Sequence, residues 1–303
     1  MEIGFVGLGR MGGNMALRLL ERAEHRVLAF DPDASAVERV AQAGGIGVDS
    51  LKALVDGLAP PRVVWLMVPA GPPVDKVLAD LSAICSRGDL IVDGGNSYYK
   101  DSLRRARELE ARGLEMMDVG TSGGIWGREI GYCMMVGGSR KAFLRVEPAL
   151  RVLAPRSGYA HVGPNGAGHF SKMVHNGIEY GLMQAYAEGF AILEGSQFEY
   201  DLHSLSKLWN HGSVIRSWLL ELAAEAFESD PTLEDVAGYV EDTGEGRWTV
   251  QAAIEESVPA EVISAALFAR FRSRRPENFA DRVLAVLRKE FGGHAVRPAG
   301  EQT

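Results

Sequence analysis

Cysteine is nearly absent: Cys85 and Cys133 are the only two in 303 residues. Two thiols cannot build a disulfide framework or a recognisable metal cluster, and both sit among apolar neighbours, as small core residues do. Long apolar runs are missing too, since nothing approaches the roughly 20 uninterrupted apolar residues of a membrane-spanning helix. Positive charge is outnumbered, with 32 Lys and Arg against 40 Asp and Glu for a net charge of −8. That balance argues against a nucleic-acid or membrane-binding surface, and an anionic substrate would have to be met by locally concentrated cations. No low-complexity tract and no internal repeat occurs, which removes solenoids and arrays. The opening residues, MEIGFVGLG, run straight into strand-like sequence without the basic and apolar regions of a targeting peptide, so a cytoplasmic location is expected.

What is left is the composition of an ordinary globular protein, 46% hydrophobic and 24% charged, with enough chain for two domains. The apolar run EIGFV is followed at once by Gly7-Leu8-Gly9-Arg10-Met11-Gly12 and then by helix-like sequence. In a strand–GxGxxG–helix unit the first glycine allows the tight turn. The second lets a pyrophosphate approach the backbone, the third lets helix and strand pack, and free N–H groups at the helix start bind the phosphates. The second strand, HRVLAF, ends at Asp31. A carboxylate there accepts hydrogen bonds from a ribose 2′-OH and repels a 2′-phosphate, which favours NAD over NADP. The competing reading of Asp31 is an N-cap for a helix starting near Pro32.

Strands and helices go on alternating. RVVWLMV, LIVD and EMMDV read as strands, the stretches 74–85 and 101–112 as helices, and 140–153 as a helix before a last strand, YAHVG. Near-continuous apolar strands alternating with helices specify an α/β, Rossmann-type, doubly wound domain with a parallel sheet covered on both faces. Ligands of such folds sit beyond the carboxyl ends of the strands, which here carry Val68-Pro69-Ala70, Asp93-Gly94-Gly95-Asn96-Ser97 and Gly120-Thr121-Ser122-Gly123-Gly124. Singly, DGGNS reads as a turn and SGG with IWGREIG as a flexible loop. Together at one sheet edge they supply N–H groups for a carboxylate or phosphate. The expected boundaries are residues 1–164 for this domain and 165–303 for a second, all-α domain, whose helical patterns include HSLSKLWNHGSVIRSWLLELAAEAF and PAEVISAALFARF.

The second domain opens on FSKMVHNGIEYGLMQAYAE, residues 170–188. As a helix it places Lys172, Asn176 and Glu179 within roughly 60° of one another, with His175 beside them. Val174, Ile178, Gly181, Leu182 and Ala185 fall on the opposite, core-like side. The polar row fits either a solvated face or an active site.

Taken together, these stretches resemble the 6-phosphogluconate dehydrogenases, decarboxylating enzymes of the β-hydroxyacid dehydrogenase superfamily. The resemblance runs from GFVGLGRMGGNM through DGGNSYYKD, VGTSGG and KMVHNGIEYGLMQ to TGEGRWT and ALFAR, almost the whole chain. It implies that Lys172 takes the proton of the 3-hydroxyl as hydride leaves C3, that the 3-keto acid loses CO2, and that Glu179 protonates C1 of the resulting enediol. Asn176 would hold the 3-hydroxyl and His175 the carboxylate end. Ser122, Gly123 and Gly124 would bind the carboxylate, and Asn96 would bridge cofactor and substrate. Tyr180 and Arg270 would take the phosphate. Arg288 and His294, in LRKEFGGH, would reach a neighbouring subunit's site, which makes the working enzyme a homodimer or homotetramer. No metal is implied.

Three departures qualify the resemblance. Thr243 stands where the long form has a phosphate-holding lysine, with Arg247 a candidate substitute. Asp31 replaces the asparagine and arginine of NADP-using relatives, so NAD is preferred. The chain also has the length of a short type. The rival readings are another NAD-dependent β-hydroxyacid dehydrogenase, set apart by the fate of the phosphate set Tyr180, Arg270 and Arg288, and a non-catalytic dinucleotide-binding regulator, which would need no acid–base pair.

Overall fold

The computed structural model describes residues 1–275 and 279–292. The chain forms two compact units, Met1–Asn176 and a second that starts at Gly177. The first runs β1 (Glu2–Val6), α1 (Arg10–Arg22), β2 (Arg26–Phe30), α2 (Ala34–Gln42), β3 (Ile46–Gly47), α3 (Leu51–Asp56), β4 (Val63–Leu66) and α4 (Pro72–Ile84). It continues through β5 (Leu90–Asp93), α5 (Tyr99–Glu110), β6 (Glu115–Ser122), α6 (Gly127–Ile130), β7 (Cys133–Gly137), α7 (Arg140–Leu153) and β8 (Tyr159–Gly163) into α8 (Ala167–Glu194). One sheet holds all eight strands, in the order β3-β2-β1-β4-β5-β6-β7-β8.

Alternation along the strands builds two cores, one on each face of the sheet. Val63 and Trp65 join Ile3, Phe5 and Val92 under Met15 and Leu19 of α1 and Val146 and Leu150 of α7. Val64 and Leu66 join Val6, Leu28 and Ile91 under Leu54 of α3 and Val74, Leu78 and Leu81 of α4. The chain is therefore doubly wound, as the sequence predicts.

The sheet is parallel except at one joint, where β6 and β7 pair antiparallel, Asp118 opposite Gly137 and Ser122 opposite Cys133. A parallel return needs a crossover of a dozen or more residues, and the short β6–β7 connection holds only a single 3₁₀ turn and the brief α6. Sequence reading also missed β3 and α3. A two-residue strand leaves no alternation to detect, and α3 shows itself mainly through its cap, Ser50, whose hydroxyl accepts from the Ala53 N–H at 3.1 Å.

The second unit contains helices only, among the described residues: the rest of α8, then α9 (Leu202–Trp209), α10 (Trp218–Ser229), α11 (Glu245–Glu255), α12 (Glu261–Ser273) and α13 (Phe279–Gly292). Asp201 caps α9 through the Ser204 N–H at 3.1 Å, and Ser217 caps α10 through the Leu220 N–H at 3.1 Å. Its core gathers Phe190, Leu220 and Phe227, with Tyr186 and Trp209 around them. The Phe190 and Phe227 rings meet edge to face at 5.0 Å.

As compact units the chain divides inside α8, because the first turns of that helix lie on β6 and β7. A Cβ on Gly137 would stand 2.7 Å from the Gly168 nitrogen, and one on Gly120 would stand 2.4 Å from Cβ of Lys172.

Candidate active site

The glycines after β1 meet three different demands. Gly7 sits at φ +91°, and a Cβ there would lie 2.7 Å from the Met67 carbonyl oxygen. A Cβ on Gly12 would lie 2.1 Å from the Gly7 oxygen, which is what lets α1 pack this close to its own loop. Gly9, by contrast, has nothing within 4 Å of where its Cβ would be, and no side chain caps α1 there. The first N–H groups of α1 thus face an open backbone surface able to take a pyrophosphate.

Asp31 closes the other side of this loop. Its Oδ2 accepts from the Leu8 N–H at 2.6 Å and its Oδ1 from the Asp33 N–H at 2.8 Å. The cap of α2 is Asp33, which accepts from Ser35 at 2.9 Å; the competing N-cap reading of Asp31 is thereby taken by its neighbour. Past β4, Val68 is half-buried, while Pro69 and Ala70 are exposed. Past β5, Asn96 is exposed between two residues that both bond to the buried Asp93. Gly95 N–H reaches its Oδ1 at 3.2 Å, and Ser97 Oγ its Oδ2 at 2.8 Å.

Ser122 ends β6 half-buried, and Gly123 and Gly124 follow at φ +126° and +53°. The segment after them is held rather than loose. Asn14 of α1 donates to the Ile125 carbonyl at 3.3 Å, and the buried Arg18 of α1 donates to the carbonyls of Arg128 at 2.7 Å and Glu129 at 3.1 Å. Burial lowers the Arg18 pKa from its ordinary value, and the three carbonyls it meets, Val152 included at 2.7 Å, replace its lost hydration. The flexible-loop reading of IWGREIG does not hold.

On α8 burial does not follow the expected division into a polar and an apolar row. Lys172 is only 8% exposed, whereas Ile178 and Leu182, read from the sequence as core, are 52% and 45% exposed. The Lys172 ammonium nitrogen lies 3.5 Å from His175 Nδ1, which lies 3.0 Å from Asn176 Oδ1. If His175 carries its proton on Nδ1 it donates to Asn176; in the other tautomer Nδ1 accepts from Lys172. Lys172 is backed by Gly120, whose missing side chain leaves room for it.

The start of α8 depends on a residue that sequence reading passed over. Asp118 of β6 is fully buried, and its carboxylate accepts from the Gly166 N–H at 2.6 Å and the His169 N–H at 2.9 Å. It serves the orphan donors of the first turn three residues before Lys172. A lone aspartate inside EMMDV carries no motif; an acidic residue in an otherwise apolar strand was the only signal.

Farther along α8, Glu179 is half-buried and Tyr180 buried. The Arg270 guanidinium lies over the Tyr180 ring, 3.5 Å from its centroid, and donates to the Glu241 carbonyl at 2.8 Å. The Tyr180 hydroxyl is buried with no hydrogen-bond partner among the described residues. Gly246 of α11 makes room for the ring, since a Cβ there would sit 2.6 Å from it. Tyr180, Met183, Gln184, Val240, Arg270 and Ser273 are among the residues lining a cavity of about 420 Å³. Tyr180 and Arg270 are thus brought together. Thr243 bonds Glu245 at 2.5 Å, and Arg247 pairs with the buried side chain of Asp242. Arg288 is exposed on α13, and His294 lies outside the described residues. Among the described residues no cluster of three His, Cys, Asp or Glu could hold a metal, and no helix is long and apolar enough to cross a membrane.

Two family models account for nearly the whole chain: the NAD binding domain of 6-phosphogluconate dehydrogenase matches residues 2–163, and the 6-phosphogluconate dehydrogenase C-terminal domain matches residues 168–292. The chain belongs to the 6-phosphogluconate dehydrogenase family. An NAD(+)-dependent, decarboxylating 6-phosphogluconate dehydrogenase of Haloferax volcanii is 47% identical, over 98% of each chain. Another with the same description, from Bacillus subtilis, is 36% identical over 91% of this chain but is longer, 62% of it being covered. Among solved structures, the 6-phosphogluconate dehydrogenase of Plasmodium falciparum superposes with a TM-score of 0.82 at 29% identity, covering 99% of this chain and 67% of that one. Family membership makes this chain an oxidoreductase with a dinucleotide-binding domain, and it agrees with the resemblance read from DGGNS and KMVHNGIEYG.

Proposed function

We propose that the chain catalyses the oxidative decarboxylation of 6-phosphogluconate to ribulose 5-phosphate and CO2, with NAD as the electron acceptor. The observation that carries the reading is Lys172: a buried amine on a helix seated by Gly120 and Asp118, in a chain whose full-length relative bears this activity in its name. The open backbone at Gly9, the uncapped start of α1 and the Asp31 carboxylate fit a dinucleotide. When bound, NAD supplies the acceptor for the hydride. An ionised Asp31 repels a 2′-phosphate, which supports NAD over NADP.

Lys172 acts as the base that takes the proton of the 3-hydroxyl. Asn176 and His175 orient the hydroxyl and carboxylate ends, Ser122, Gly123 and Gly124 bind the carboxylate, and Asn96 lies between cofactor and substrate. Loss of CO2 from the 3-keto acid leaves an enediol, and Glu179 returns a proton to C1. Seven residues of helix separate Lys172 from Glu179 by about 10 Å, a span that two long side chains close onto neighbouring carbons. Tyr180 and Arg270 take the phosphate, with Arg288 and His294 supplied by a second copy. The apolar residues left exposed, among them Ile178, Leu182, Val262 and Phe268, support a homo-oligomer. A domain boundary at residues 164/165, which falls between the two family-model matches and ahead of the compact-unit division, and a cytoplasmic location complete the reading.

The test is an assay of 6-phosphogluconate with NAD or with NADP, following reduced cofactor and released CO2 separately. Equal yields of both products, with the higher kcat/KM for NAD, are expected. Reduction without CO2 points instead to another β-hydroxyacid dehydrogenase, and a preference for NADP overturns the role of Asp31.

A further inference from the structure

Arg105 lies in the middle of α5 and is 1% exposed. The stretch RRARELEAR around it reads as a solvated helix face, yet this one guanidinium is turned inward. Its Nε donates to Asp75 Oδ1 at 2.9 Å, at the start of α4, and its Nη2 donates to the Gly71 carbonyl at 3.0 Å, in the loop after β4. Its Nη1 donates to Ser97 Oγ at 3.3 Å and lies 3.6 Å from Asp93 Oδ2, in the loop after β5. One planar fork thus holds two strand-end loops, and those are the loops that carry Val68, Pro69 and Ala70 on one side and Asn96 on the other.

Asn96 itself is pinned from both flanks, since Gly95 and Ser97 each bond to Asp93. Asp93 is in turn held by Arg105, so this buried cation adds a side-chain link between the flanks of Asn96 and the loop after β4, beside the backbone bond from Gly94 N–H to the Leu66 carbonyl at 2.9 Å. Burying a charged cluster is costly, and a hydrophobic replacement of similar volume is often at least as stable. Its position at the mouth of the sheet, rather than its contribution to stability, is what marks it out. A comparable pair, Arg62 and Asp89 at 3.0 Å, lies at the opposite ends of β4 and β5, beyond reach of either loop.

We infer that Arg105 is a positioning residue that sets Asn96 and the loop after β4 in register for cofactor and substrate. The inference rests on the proposed function for its kinetic readout but not for its binding readout. A lysine at this position keeps the charge and loses the fork. Ser97→Ala removes only the hydroxyl between Asp93 and Arg105, and serves if Arg105 variants fold poorly.

The experiment compares Arg105→Lys, Ser97→Ala and the control Arg62→Met by calorimetric titration with NAD, thermal melting, and turnover of 6-phosphogluconate and its 3-deuterated form. Expected for Arg105→Lys are an NAD Kd about tenfold higher, a kcat lower by about 10²-fold, as a 1 Å misplacement brings, and a larger deuterium isotope effect. Ser97→Ala should move the same quantities by less, and Arg62→Met should lower the Tm while leaving NAD Kd and kcat within about twofold per folded enzyme. If Arg105→Lys and Ser97→Ala leave NAD Kd and isotope effect unchanged, or change activity only as the folded fraction does, Arg105 is structural and the inference fails. If the wild type binds NAD but does not turn over 6-phosphogluconate, the proposed function fails, and the NAD titrations still decide the role of Arg105.

Discussion

Gly120→Ala tests the seating of the proposed base directly. The new methyl would start 2.4 Å from Cβ of Lys172 and 2.6 Å from the Gly168 carbonyl oxygen. Ordinary contact begins about 1 Å farther out, and neither obstacle is the free end of a flexible side chain: one is fixed to the helix backbone and the other is part of it. The strain must therefore be relieved by moving α8 away from β6 or by bending β6, at a cost of roughly 1–3 kcal/mol for an overpacked core. A shift of about 1 Å at a reacting group lowers turnover by about 10²-fold. The variant should melt lower than the wild type, bind NAD within about threefold of it because the Gly7–Gly12 loop is built without Gly120, and lose about two orders of magnitude in kcat. Wild-type kcat in a folded Gly120→Ala enzyme would refute the idea that this contact places Lys172.

Four further outcomes are expected. Lys172→Met should abolish turnover while NAD titrates as before, and residual activity near wild type would remove Lys172 from the chemistry. Gly189, inside α8 with nothing within 4 Å of a built Cβ, should tolerate alanine with a gain of about 0.5–1 kcal/mol in denaturant unfolding; a loss would mean that a neighbour does occupy that space. Arg105 and, after it, Arg104 hold the Asp75 carboxyl down at about 2, against an ordinary 3.8. With the folded value depressed, the stability from this pair is present above about pH 4 and fades as pH falls toward 2. Asp75→Asn should accordingly lose less Tm than the wild type across that acid window, and parallel curves would count against the pair. Finally, hybrids of inactive Lys172→Met and Arg288→Ala chains should recover activity if Arg288 serves a neighbouring site, and confirmed hybrids without recovery would argue for sites complete in one chain.

Much of the nucleotide-binding half is legible in the sequence because its geometry admits so few residue types. Gly7 and Gly12 are dictated by backbone approaches that no side chain survives, and such demands leave a fixed spacing behind. The strands β4 and β5, buried on both faces, can be read from unbroken apolar runs. The strand β7 is legible as YCMMV, but its antiparallel direction is not, since direction depends on the length of a connection whose short α6 gives no periodic signal.

The site divides in the same way. Lys172, His175 and Asn176 stand out as an odd polar set on a helix, and their proximity follows from helical spacing alone. Which side of that helix is buried does not follow. An amphipathic reading assigns the apolar side to the core, and here the buried residues include the lysine while Ile178 and Leu182 face outward. Asp118 and Arg105 stayed hidden for a related reason: each is a single charged residue in an ordinary context, and only the fold reveals that its partners are backbone groups and loops distant in sequence.

The break between the compact units, placed inside α8 at the peptide bond after Asn176, carries an evolutionary consequence. The groups described around Lys172, namely Gly120, Asp118, His175 and Asn176, precede that bond, whereas Glu179, Tyr180 and Arg270 follow it. On the proposed assignment of Lys172 as base and of Glu179, Tyr180 and Arg270 as acid and phosphate ligands, a lineage could exchange or duplicate the helical segment, altering which hydroxy acid is accepted and what becomes of it after oxidation, without re-inventing the base. On the same assignment, a chimaera joined at Gly177 would inherit its base and carboxylate contacts from one parent and its phosphate contacts from the other.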